Sequence, residues 1–283
     1  MSMSTTMVNE QPISSVLEQE KQTVKEVYNV IAEEYDLRFS AETPSDKRFN
    51  EMEMNFILSK LKPEDEVLDL GCGTGRFTVP MAERVQQVTG LDLCPAMIEK
   101  AREKTSQRGL RVEFKEGDMT NLQFADKSFD VVTSMVALMH IPLDQRQAVF
   151  SEAARVLKPG GRMIINVKNT AFESICPVDR FVSVDVTDVE NKQLVFTQNR
   201  TGKDLTTNWY SFSPEEINRL FSTAGLSLVH MRANIPIFAW LANEVVQPAN
   251  IFAILAGLEN LLADLPPFNH LGYYTLAEAV KPL

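Results

Sequence analysis

Asp69-Leu-Gly71-Cys-Gly73-Thr-Gly75 comes directly after the short apolar run Glu66-Val-Leu-Asp-Leu70. The run has the length and character of a buried strand. The glycines that stop it let the backbone turn tightly and approach a ligand without a Cβ in the way. A strand that ends in such a turn and feeds a helix belongs at the centre of an open α/β sheet, with its ligand crevice at the carboxyl edge.

The residues around this turn repeat the alternation. A helical pattern runs to about Arg84, and Val88 to Asp92 reads as a second strand. Pro95 opens a helix to about Gln107. Arg111–Glu116 and Phe129–Ser134 are the third and fourth strands. Leu143–Leu157 is helical, Lys158-Pro-Gly-Gly161 is a turn, and Arg162–Val167 is the fifth strand. Such spacing predicts βαβ units and a parallel sheet. Upstream, Val24, Val27, Tyr28, Ile31 and Tyr35 have helical spacing, and so do Phe49, Met52, Phe56 and Leu61 in a second helix over Ser45–Leu61. After Lys168 the alternation stops. Phe181–Val186, Leu194–Gln198 and Thr206–Phe212 read as a small antiparallel insertion. Ser213, Pro214 and Glu216 make a capping box for the next helix. Leu226–Met231 is a sixth strand and Tyr273–Val280 a seventh, separated by an apolar helix over Pro248–Leu265. The expected organisation is a disordered tail (1–20), an N-terminal helical part (21–62), an alternating α/β core (63–169), a β-rich insertion (170–212) and a closing part of the core (213–283) that carries the apolar helix at 248–265.

The turn admits two cofactor classes. A dinucleotide site wants G-x-G-x-x-G with a helix end aimed at a pyrophosphate. Here the spacing is G-x-G-x-G and an acid, Asp69, precedes it. A carboxylate there repels phosphate and suits a cation. S-adenosylmethionine carries a sulfonium and an ammonium and no phosphate, so the acid favours it over NAD. Asp92 ends the second strand beside the same crevice and can accept both ribose hydroxyls. Leu93 can offer an apolar edge to adenine. Asp118, in Glu116-Gly-Asp-Met119, can accept from the adenine amino group. Each acid also has an ordinary reading, as a helix cap for Asp69 and as a turn residue for Asp92 and Asp118.

Val67–Gly75, Gly90-Leu-Asp92, Gly117-Asp118, Ser128-Phe-Asp-Val-Val132 and Leu157–Gly161, in this order and spacing, resemble the class I S-adenosylmethionine-dependent methyltransferases. The resemblance covers roughly residues 25–168 well and the closing part more loosely. It implies a Rossmann-like seven-stranded sheet with the last strand antiparallel and helices on both faces. It also implies cofactor contacts at Asp69, Gly71, Gly73, Asp92, Asp118 and Met119, with Leu93 and Ser134 at the same edge.

Methyl transfer is an in-line displacement. The protein must align the nucleophile, exclude water and, for a hydroxyl acceptor, remove a proton. His140, in Ser134-Met-Val-Ala-Leu-Met-His-Ile-Pro142, is the candidate base. Its alternative is a structural histidine bonding nearby backbone. The N-terminal helical part (21–62) resembles the cover that folds over the cofactor in the family, where Tyr35 is a candidate for closing the methionine end, whereas Tyr28 reads as core packing. The resemblance implies a substrate-side lid at 170–212 and a substrate-side helix at 248–265, and their Phe, Leu, Trp209 and Tyr210 content points to a partly apolar small-molecule acceptor, methylated on O or N rather than C. For the stripe at 248–265, ordinary core or a dimer contact is the favoured reading.

Composition narrows the rivals. A formal net charge of -10, with Lys100, Arg102 and Lys104 interleaved with Glu99 and Glu103, argues against nucleic acid. Cys72, Cys94 and Cys176 lack metal or disulfide spacing and suit a reducing cytoplasm. With only His140, His230 and His270 in the chain, no metal set is expected. No apolar run reaches the ~18 residues of a membrane span, and a monomer or homodimer is expected. The remaining alternatives are a different transfer reaction with the same cofactor, a non-catalytic cofactor-binding partner, and an NAD oxidoreductase.

Overall fold

The computed structural model describes residues 13–39, 43–175, 184–185, 192–197 and 204–283. Two helices, α1 (Ile13–Ile31) and α2 (Pro44–Ser59), precede the alternating β1 (Glu66–Leu70), α3 (Thr78–Ala82), β2 (Gln87–Asp92), α4 (Pro95–Gln107), β3 (Val112–Glu116), β4 (Phe129–Met135), α5 (Leu143–Val156) and β5 (Leu157–Lys168). There follow α6 (Thr170–Ile175), the short strands β6 (Val184–Asp185), β7 (Lys192–Thr197) and β8 (Asp204–Trp209), α7 (Pro214–Thr223), β9 (Ser227–Asn234), α8 (Asn243–Val246), α9 (Ala249–Leu262) and β10 (Tyr274–Val280).

The main sheet has seven strands in the order β3-β2-β1-β4-β5-β10-β9. The strands from β3 to β5 are mutually parallel, and β10 is antiparallel to both of its neighbours. Both faces are covered, so the central strands are mostly apolar on both sides, with buried polar residues such as Asp69, Thr133 and Ser134 among them. Leu68, Val132, Met163 and Ile165 pack with Val149, Phe150, Leu220 and Phe221 of α5 and α7. Val67, Val131 and Ile164 point the other way, to Phe56, Ile57 and Met81 of α2 and α3. The chain leaves β1 toward β2 on one side and returns to β4 on the other, which opens a crevice at the carboxyl end of β1.

Several boundaries differ from the sequence reading. The residues from Ile13 to Glu20 are helical, not tail, because α1 extends back through the helix-forming Leu17, Glu18, Gln19 and Glu20; residues 1–12 lie outside the described residues. The helix after the glycine turn is only Thr78–Ala82. Lys158–Gly161 is part of β5, carried by a register shift against β4. The capping box at Ser213 is half-formed. Its hydroxyl accepts from Glu216 N–H at 3.1 Å, but the Glu216 carboxylate is held by Arg146 at 2.7 Å. A complete box stands at Thr43 and Asp46 instead. The insertion is a three-stranded antiparallel sheet, β6-β7-β8. Phe181 and Cys176 fall outside the described residues.

Candidate active site

The glycine turn is built by its neighbours. Gly71 and Cys72 N–H both donate to Leu91 O, at 2.8 and 3.0 Å, which ties the turn to the end of β2. Gly71 has φ +71°, and a Cβ there would stand 2.3 Å from Ala137 Cβ, so the close pass of the β4 end requires glycine. Gly73, at φ +52°, has nothing within 4 Å of its Cβ direction and faces open space. Its N–H donates to Asp92 Oδ2 at 2.7 Å, and Cys94 N–H donates to Oδ1 at 2.9 Å. Burial raises the Asp92 pKa above the usual carboxylate range even though these two donors oppose it.

Around this turn lies a cleft with about 770 Å³ of empty space, open mouth included. Gly71, Gly73, Asp92, Leu93, Asp118, Met119, Tyr35 and His140 all line it. Its remaining walls come from Lys21, Val24 and Tyr28 of α1, from Cys94 and Met97, and from Val136, Ala137 and Ile141 after β4. Asp118 Oδ2 accepts from Lys21 Nζ at 2.6 Å, and Oδ1 accepts from Thr120 N–H at 2.8 Å. Burial pushes Asp118 up, but these bonds outweigh it and hold the carboxyl below its ordinary value.

Helix α1 is fastened over the crevice by polar ties. Besides Lys21, Lys25 reaches Glu116 at 2.5 Å, and Asn29 Oδ1 accepts from Ala96 N–H at 3.0 Å. Glu20 takes the Asn208 side-chain amide at 2.8 Å, which joins α1 to the insertion. At the centre of this cover the Tyr28 hydroxyl stands 2.7 Å from His140 Nε2, while His140 Nδ1 is 3.0 Å from Asn208 O. A backbone carbonyl only accepts, so Nδ1 carries the proton and Nε2 receives the Tyr28 O–H. Burial lowers the imidazole pKa to about 4 against the Asn208 bond, so the ring is neutral. Burial also raises the Tyr35 hydroxyl pKa.

The residues fit S-adenosylmethionine. Leu93, Met97, Met119 and Ile141 are apolar walls for a purine, Asp92 is a carboxylate for vicinal hydroxyls, and the glycine cradle would be filled by any Cβ at Gly71. Among the described residues, the one cationic side chain on the cleft wall is Lys21, and it is committed to Asp118 rather than turned to a pyrophosphate.

Comparison with known proteins agrees with this chemistry. The family model "Methyltransferase domain" matches residues 67–161. A ubiquinone biosynthesis O-methyltransferase of Xanthomonas axonopodis pv. citri is 33% identical over 122 residues, which are 42% of this chain and 50% of that protein. A demethylmenaquinone methyltransferase of Lactiplantibacillus plantarum is 31% identical over 172 residues, covering 59% of this chain and 72% of that one. The chain thus spans half the length of the first relative and nearly three quarters of the second. The fold is shared with an S-adenosylmethionine-dependent methyltransferase from Clostridium acetobutylicum at a TM-score of 0.62 and 16% identity, over 91% of this chain and all of that one.

The chain belongs to the S-adenosylmethionine-dependent methyltransferases.

Two expected cofactor contacts of the methyltransferase stand elsewhere. Asp69 is buried beneath the turn, not on the cleft wall, and its carboxylate accepts from Thr78 Oγ1 at 2.6 Å and Thr133 Oγ1 at 2.8 Å. Burial raises its pKa to about 6. Ser134 is fully buried and donates to Leu70 O at 3.0 Å. Successive strand residues face opposite sides, so a strand-interior serine points into the layer and not over the edge. The cleft at that end of the sheet is lined by Val136 and Ala137. Tyr28 corrects the sequence reading in the other direction. It packs with Tyr35 at 5.9 Å between ring centroids, but its hydroxyl belongs to the site. Lys21 had no signal beyond its place on an amphipathic helix, because its partner lies 97 residues away.

Proposed function

We propose that this methyltransferase methylates a hydroxyl group of a small, partly apolar acceptor, with Tyr28 and His140 carrying the proton away. When bound, S-adenosylmethionine supplies a methyl group on a cationic sulfur, open to in-line attack. Gly71 and Gly73 admit it against the backbone, and Asp92 holds its vicinal hydroxyls. Helix α1 closes the cleft and excludes water, which strengthens every polar interaction inside.

The observation that carries the hydroxyl reading is the 2.7 Å Tyr28–His140 contact on the cleft wall. An acceptor hydroxyl seated against Tyr28 gives its proton to the Tyr28 oxygen as the Tyr28 proton passes to Nε2 of His140. The acceptor oxygen loses its proton and takes the methyl group, whose bond to sulfur would break with the electron pair left on S-adenosylhomocysteine, and Nδ1–H stays on Asn208 O throughout. A neutral ring can accept this proton, whereas an imidazolium cannot. Behind His140, away from the cleft, the core is aromatic. The Trp209 ring lies 6.3 Å from the imidazole, and Trp209, Phe172, Tyr273 and Tyr274 form one buried cluster. The cleft itself offers Tyr28, Tyr35 and apolar side chains, and an aromatic acceptor is in keeping with the quinone-related names of the two relatives. The test is incubation with ¹³C-methyl-labelled cofactor and a panel of hydroxylated and amino-substituted aromatics, read by NMR of the product. Methoxy products are expected. Label found only on nitrogen or ring carbon would overturn the hydroxyl reading.

A further inference from the structure

Helix α9 is built inside out. Its one charged residue, Glu259, faces the interior and is fully buried. There Oε2 accepts from Arg48 Nε at 2.8 Å, and Oε1 accepts from Ile237 and Phe238 N–H at 3.0 and 3.1 Å. Arg48 also donates to Ala256 O and to Asn260 Oδ1, at 3.2 and 2.5 Å. This network locks the rotation of the helix about its own axis. The opposite side carries Ile251, Ile254, Leu258 and Leu261, continued by Leu265 just past the last turn, at 37, 63, 45, 69 and 52% exposure. A surface helix that buries its charge and exposes its aliphatics reverses the ordinary amphipathic arrangement.

The spacing of the exposed residues is three, four, three, four, the a/d repeat of a helix-pairing seam and narrower than the apolar face of a helix lying on a core. Ala253 and Gly257 flank the seam and are also exposed, and a Cβ at Gly257 would meet nothing within 4 Å. Small residues beside a seam let a second backbone come close.

We propose that this face pairs with the same face of a second copy of the chain, helix α9 against helix α9. Charge supports that occupant. Between Ala249 and Leu262 the exposed side has no ionised group, so two copies meet there without repulsion although each chain carries a net charge of -10. A helix that lies on a membrane surface has Lys and Arg along its polar side, and α9 has neither. Area supports it as well. Covering the five aliphatics and two small residues on both copies removes roughly 1,000 Å², the lower bound for a specific interface. The pairing is isologous, and Leu258, central in the stripe, meets the partner stripe near the two-fold axis.

The test is sedimentation velocity on the full chain from about 1 to 50 μM, spanning the micromolar affinity that so small an interface supports. The wild type is expected to reach twice the monomer mass over this range. Ile254→Glu with Leu261→Glu is expected to hold it at the monomer mass while S-adenosylhomocysteine affinity stays within twofold, which shows that the variant is folded. Leu258→Cys under mild oxidation is expected to yield covalent dimer above the wild-type background, and Val229→Cys, more exposed and on β9, is expected not to. A wild type that stays monomeric, a double variant that still dimerises, or a wild type that instead floats with neutral phosphatidylcholine vesicles and loses this in the double variant would each overturn the proposal.

Discussion

Helices α1 and α9 both lie outside the seven-stranded sheet, yet they use charge in opposite directions. In α1 the apolar side faces inward through Val27 and Ile31, and the lysines at 21 and 25 reach sideways to acids on the cleft rim. In α9 the carboxylate faces inward and the aliphatics face outward. The first arrangement makes a cover that solvent and salt can loosen, as a lid over a small ligand must be. The second makes a fixed platform. An apolar periodicity therefore states that a helix has a sticky side without stating which way that side points. In α9 the direction was decided by Arg48, 211 residues away from Glu259.

The contrast is broken most sharply by removing the buried charge. Glu259→Ala takes the buried carboxylate from Arg48 Nε and from two backbone N–H groups, and the expected destabilisation is about 3–5 kcal/mol. A thermal or urea melt reads it, and a loss below ~1 kcal/mol would show that water takes the place of Glu259. Next in size is the proton route under α1. His140→Ala is expected to lower turnover ~10²-fold or more with KM for the cofactor little changed, whereas near-normal turnover assigns His140 to structure alone. Asp92→Ala is expected to weaken S-adenosylhomocysteine by roughly 1–3 kcal/mol in calorimetry. None of the α9 face variants should move that value, and if they do, cleft and platform are coupled.

The imidazole also offers a check by pH. Its pKa is lowered to about 4 by burial, so the fold favours the neutral ring. That contribution to stability is fully present above the ordinary histidine value near 6.5 and is lost as pH falls through about 4. Asp69 acts with the opposite sign. Its pKa is raised to about 6, so its contribution is present below the ordinary carboxylate value and is lost as pH rises through about 6. The chain has three histidines, so the ring nitrogens of His140 can be followed singly by NMR. The expected signature is a protonated Nδ1 with no titration until close to pH 4. A midpoint near 6.5 would mean that Tyr28 and α1 do not close over the ring.

Much of this site is local in the chain, and that is why it was legible. The glycine turn, Asp92 and Asp118 stand at strand ends whose positions follow from hydrophobic runs and their stops, and the structure gathers them at one crevice. Strand order was legible through the family pattern rather than through any single run. What escaped were contacts whose partners are remote. Tyr28 meets His140 across 112 residues and Lys21 meets Asp118 across 97, and helical spacing describes both only as positions on a face. Ser134 and Asp69 escaped for a finer reason. Being at the right end of a strand is not enough, because the pleat decides whether a side chain points over the edge or into the layer. The turn reading of Lys158–Gly161 failed similarly, since β5 absorbs the Pro-Gly-Gly at a register shift next to β4.

The smallest expected effect lies at the other end of the comparison. The Lys21–Asp118 pair is short at 2.6 Å, but both side chains keep part of their surface in water, at 20 and 30% exposure. Coulomb attraction there is screened, and ordering the long lysine side chain offsets much of the gain, so Lys21→Ala is expected to cost ~0–1 kcal/mol of stability. Its signature should lie in the cover instead. Losing one tie lets α1 open more often, so cofactor KM is expected to rise a few-fold while kcat holds. The difference between wild type and variant should shrink as salt is raised toward 1 M, where the Debye length falls to about 3 Å. Asp118 carries the matching pH dependence. Its carboxyl is held below the ordinary value by Lys21 and the Thr120 N–H, so the stability it contributes is present at neutral pH and is lost as pH falls through its lowered pKa. In Lys21→Ala that acid limb should move to higher pH. If neither salt nor pH separates the two proteins, α1 is held down by its apolar face alone, and the distinction between a loosened cover and a fixed platform no longer rests on charge.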